Sequence, residues 1–193
     1  MKEAQISNQD SLDIIAGMLQ STRHNIAEDK VIYLLWGYGV AITAFAHYVL
    51  QFLLNTHPAT ASIVWLSMPV LGIVNGIYFS RKKKNKGVKT YIDRAMSAIW
   101  LSFIGALVCF LFAAPAVGWA VIYPMFMILY GIGSASSGGI LKFNPLIFGG
   151  ALSMIIGLIA FYQVFELQLI LLAVAVVVSF VIPAHLLPKS KNA

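Results

Sequence analysis

Residues 95–135 read AMSAIWLSFIGALVCFLFAAPAVGWAVIYPMFMILYGIGSA, 41 consecutive residues without a charged side chain. A hydrocarbon core about 30 Å thick is crossed by about 20 helical residues at 1.5 Å rise each. The stretch is therefore twice the length of one membrane helix. Near its middle stand Ala113-Ala114-Pro115-Ala116-Val117-Gly118, where proline and glycine supply a turn. Two spans folded back on each other are expected here, and they set the class: an all-α, polytopic membrane protein.

Four more apolar runs of similar length flank this pair. Val31–Leu54 and Ala61–Phe79 precede it, separated by the polar turn Asn55-Thr56-His57-Pro58. Pro145–Phe165 follows, with Asn144 as an expected N-cap and Pro145 in the first turn, where its missing N–H is harmless. Leu167–Leu187 is the last, stopped by Pro188. The composition agrees, with 60% apolar and 10% charged residues and a mean hydropathy of +0.84. A soluble domain carries about 25% charged residues. The expected organisation is a cytoplasmic N-terminal segment (1–30), a six-helix transmembrane domain (31–187) and a short cytoplasmic tail (188–193).

All 13 Lys and Arg residues fall before the first span, between the second and third, between the fourth and fifth, or after the sixth. The alternate loops hold Glu166 as their only charge. By the positive-inside rule both termini face the cytoplasm, in a plasma or inner membrane. The net charge of +6 is thus topological rather than a sign of nucleic-acid binding. A polar, partly acidic segment precedes the first span instead of a leader with a small-residue cleavage site, so that span is expected to be retained.

Two cytoplasmic features suggest contacts. Leu12, Ile15, Leu19 and Ile26 recur at helical spacing within 11–27, which predicts an amphipathic helix that lies in the headgroup region, packs under the bundle, or docks a protein partner or a second copy. Arg81, Lys82, Lys83, Lys84 and Lys86 form a basic run that anchors topology and suits anionic lipid headgroups. The expected partners are the lipid bilayer, a second copy of the chain and a protein at the cytoplasmic face.

Intramembrane chemistry is sparse. No Asp, Glu, Lys or Arg lies within a span, which argues against a proton-coupled carrier. His47 and His185 fall near opposite faces and cannot share a haem or a metal. Cys109 is the single cysteine, so neither a disulfide framework nor a thiolate site is expected. No cofactor and no enzymatic constellation is expected. Two intramembrane polar residues stand out: His47, as a satisfied group between helices with Gln51 nearby, and Asn75, which should find a partner across helices.

Small residues four apart mark packing faces: Gly72 and Gly76 in the second span, Ala98, Ser102 and Ala106 in the third, Gly149, Ser153 and Gly157 in the fifth. Pro69 and Pro124 should bend their helices and free carbonyls able to line a cavity, and the glycine- and serine-rich stretch 131–139 is flexible enough for a hinge. Two functions compete on this evidence. One is a non-enzymatic sensor, accessory or regulatory subunit working through cytoplasmic contacts; the other is a small oligomeric transporter or channel for a neutral or weakly polar solute.

Overall fold

The structure, a computed structural model, describes residues 30–83 and 91–187. The expected amphipathic helix at 11–27, Lys84 and Lys86 of the basic run and the tail 188–193 lie outside the described residues. Within them the chain is all-α, with no strand and six helices. Helix α1 is Lys30–Leu53, and α2 begins at Pro58, tightens to a 3-10 turn over Ser62–Leu66 and continues as Ser67–Lys83. Then follow α3 (Tyr91–Val117), α4 (Trp119–Leu141), α5 (Asn144–Ala160) and α6 (Phe165–Leu186). All except α5 are long and apolar enough to cross a membrane. The 17 apolar residues of α5 extend about 25 Å.

Local chemistry explains the boundaries. Pro115 does not break α3, because so near the C-terminal end its missing N–H affects only the last turn; the chain turns instead at Gly118, whose φ of 85° suits glycine. The expected six-residue break thus shrinks to one residue. The α1–α2 turn uses Asn55 at φ 50°. Thr56 closes it by donating both its N–H and its hydroxyl to Leu50 O, at 3.0 and 2.7 Å. His57 caps α2, its Nδ1 accepting from Ala59 N at 3.3 Å. Asn144 is not a cap but the first residue of α5, and Phe143 precedes it in extended conformation. Helix α5 ends at Ala160 rather than Phe165, through a turn in which Gln163 N donates to Ala160 O at 3.0 Å.

Helices α4, α5 and α6 form the centre, with α4 and α5 the most intimate pair. A Cβ on Gly150 would lie 2.5 Å from Gly131 O and 2.6 Å from Ala135 N, and one on Gly138 2.8 Å from Ile147 N. Contacts this close need glycine. They also overturn the expected hinge at 131–139, which is continuous helix held beneath α5. Helix α1 lies along α6, with Gly37 under Phe180 and Val181, and along α2, with Gly39 under Leu71. Only 6% of the apolar window of α2 or of α3 is buried, so these two helices flank the bundle and turn most of their surface to lipid.

Two aromatic clusters fill the interior. Toward the end where Lys30 begins α1 and Lys142 follows α4, here the basic end, Tyr33, Trp100, Phe103, Tyr130 and Phe180 make a closed ring of contacts with centroids 5.3–6.0 Å apart. It joins α1, α3, α4 and α6. Toward the far end Trp65, Tyr123 and Phe165 pack edge to face, and they enclose His47.

Candidate functional site

His47 is buried on α1, at 3% exposure. Trp65 on α2 donates its indole N–H to His47 Nδ1 at 2.9 Å. An indole is only a donor, so Nδ1 accepts, the ring proton sits on Nε2, and Nε2 donates to Gln51 Oε1 at 2.9 Å. The Tyr123 hydroxyl of α4 lies 3.4 Å from Nδ1 as a longer second contact, and the Phe165 ring of α6 stands edge-on at 6.0 Å. Both nitrogens of a neutral imidazole are thereby used, and four helices meet there. Thr43, one turn before His47, meets Ser67 of α2 at 3.0 Å. Ser67 donates to Val64 O at 2.7 Å, so the Thr43 hydroxyl donates to Ser67. The pair floors a groove of about 400 Å³ between α1 and α2, otherwise lined by Gly39, Ile42, Val70 and Leu71.

His47→Leu should unpair the Trp65 N–H and the Gln51 carbonyl together. The expected result is a loss of about 2 kcal/mol with a red-shifted or broadened Trp65 emission, read by thermal melting and by fluorescence with the other three tryptophans replaced.

The small-residue positions separate into two groups. On α5, a Cβ at Gly149 would meet Val178 O of α6 at 2.5 Å, one at Gly157 would meet Pro124 O of α4 at 3.0 Å, and Ser153 donates to Met127 O of α4 at 2.9 Å. One face of α5 thus touches both neighbours along its length. On α2, a Cβ at Gly72 or Gly76 would meet nothing within 4 Å, and on α3 Ala98 and Ser102 are exposed. Asn75, half-buried on α2, has a carbonyl oxygen out of contact with solvent and without a hydrogen-bond donor among the described residues. Arg81, Lys82 and Lys83 form the last turn of α2, and among the described residues no three His, Cys, Asp or Glu side chains cluster.

Two residues that the sequence pattern did not single out hold the centre together. Pro124 has no N–H, so Ala120 O in α4 loses its helical donor. Gln168 of α6, 1% exposed, supplies one: its Nε2 donates to Ala120 O at 2.9 Å and also reaches Ala160 O and Gln163 O at 3.0 and 3.2 Å. Pro183 in α6 likewise deprives Ser179 O, and the fully buried Ser134 of α4 donates to it at 2.8 Å. Each helix repairs the other's proline gap. The carbonyl that Pro124 frees is therefore stoppered by a side chain, not left to line a cavity.

No family model, curated protein or solved structure matches the chain.

Proposed function

We propose that this multi-span helical membrane protein crosses a plasma or inner membrane six times, with both termini cytoplasmic, and is a non-enzymatic sensor, accessory or regulatory subunit that works through cytoplasmic contacts. The placement of every Lys and Arg in alternate segments supports that topology, with α5 as a short crossing between Lys142 and Glu166. One observation carries the preference for contact over transport. The Gly149, Ser153 and Gly157 face, the best site for a narrow solute path, is occupied by the backbones of α4 and α6, and aromatic rings fill the space beside it. An interior packed in this way suits a rigid platform that presents its segments at the basic end.

The test compares the tagged full chain with a form lacking residues 1–27, each purified from native membranes in mild detergent. The expected result is one protein recovered at fixed stoichiometry with the full chain and at background with the shortened form, whose melting temperature is unchanged. Equal recovery with both forms contradicts the reading. So does solute flux through reconstituted vesicles that Gly157→Leu alters in a folded protein.

A further inference from the structure

Helix α6 is built in three pieces: Phe165–Val176, a π turn at Val177–Val181 and a final segment Ile182–Leu186. Across the wide turn Ile182 N bonds to Val177 O rather than Val178 O, and Pro183 has no N–H to return to Ser179 O. Val178 O and Ser179 O therefore both lose their usual helical donors. Val178 O faces Gly149, whose missing Cβ leaves room for it, and Ser179 O relies on the Ser134 hydroxyl. That hydroxyl has one proton and also lies 3.0 Å from Leu146 O, so the bond to α6 is shared. π turns and prolines are where helices bend, and here both fall within a single stretch of seven residues.

Beyond the bend the final segment meets α1 through a polar contact, the Tyr38 hydroxyl at 3.0 Å from His185 Nε2, on the exposed side of the bundle. The segment is two-faced. Pro183, Ala184 and the following Leu187 are buried, while Ile182 and Leu186 are about half exposed. A swing about the π turn would uncover Ala184 and Leu187 at the basic end without disturbing Gln168 or the aromatic cluster around His47.

We propose that Ile182–Leu186 is a hinged segment, bending at Val177–Val181 and latched shut by Ser134 on Ser179 O and by Tyr38 on His185. It is a conformational device by which the basic end of the bundle changes the apolar surface it presents. The device holds whichever partner the protein has, because it depends only on contacts within the bundle, from α1, α4 and α5 to α6.

Hydrogen exchange on the full chain in lipid nanodiscs tests it. Ser134→Ala removes one latch and should speed exchange over residues 182–187 about fivefold, the equivalent of one net hydrogen bond, leaving 165–176 unchanged. Tyr38→Phe, at an exposed position that does not threaten folding, should act in the same direction. Pro183→Ala should do the opposite, because the backbone N–H regained at that position returns to Ser179 O, straightens the helix and makes Ser134→Ala silent. Faster exchange in Pro183→Ala, or a rise spread evenly along α6 in Ser134→Ala, overturns the hinge and leaves these contacts as packing alone.

Discussion

Gly150→Ala is expected to destabilise the bundle by about 3 kcal/mol, the upper end of the range for overpacking a core. The added methyl would sit 2.5 Å from Gly131 O and 2.6 Å from Ala135 N. Both obstacles are backbone atoms of α4, so no rotamer change relieves the clash and the two helices must separate. For a chain of this size that loss lowers the melting temperature by about 6–12 °C. Gly72→Ala supplies the contrast. A Cβ there meets nothing within 4 Å, and the better helix former should leave the melt unchanged or raise it slightly. Melting curves of both variants in one detergent check the pair, and equal losses would contradict the division between a packed centre and flanking α2.

The second large effect belongs to Gln168. Gln168→Leu leaves Ala120 O unpaired in an apolar interior, where an orphaned carbonyl costs about 1–3 kcal/mol. The variant also removes a Gln168 oxygen that is itself buried without a donor, which offsets part of the loss. The expected net change is about 2 kcal/mol. Its origin is separable, because Pro124→Ala restores a backbone N–H for Ala120 O. In the double variant the carbonyl no longer needs the amide, and a double-mutant cycle should show coupling of about 1 kcal/mol or more. Strict additivity would mean that Gln168 acts by filling space and not by closing the proline gap.

The spans are legible in the sequence because apolar length is a local property of the chain: each of the six helices lies on one of the apolar runs. The ends are less so. Helix α5 stops at Ala160 through Phe161, Tyr162 and Gln163, residues with no turn signature, and so the apolar run reads on to Phe165. Spacing alone also does not distinguish the glycines of α2 from those of α5. Four-residue spacing says that one face is small, but not whether another helix lies against it; α5 is central and α2 flanks. Gln168 and Ser134 escape notice because neither carries a charge or belongs to a set of metal ligands. A signal is nevertheless present: each mid-span proline implies a carbonyl in need of a donor, and a glutamine or serine inside an apolar run is a donor in need of a use. His47 stands out in the sequence as a group satisfied between helices, but its bond from Trp65 joins residues 18 apart and emerges only when α1 and α2 are folded together.

The proposed six-crossing topology is most exposed to test at α5, the shortest helix. Single cysteines at Asn55, Lys142 and Tyr162 in a Cys109→Ser background, labelled with a membrane-impermeant maleimide on intact cells and on inverted vesicles, give the answer. Asn55 and Tyr162 should react from outside and Lys142 only from the cytoplasmic side. Reaction of the Tyr162 site from the cytoplasmic side would make α5 a segment that does not cross, leave five crossings and place the termini on opposite sides.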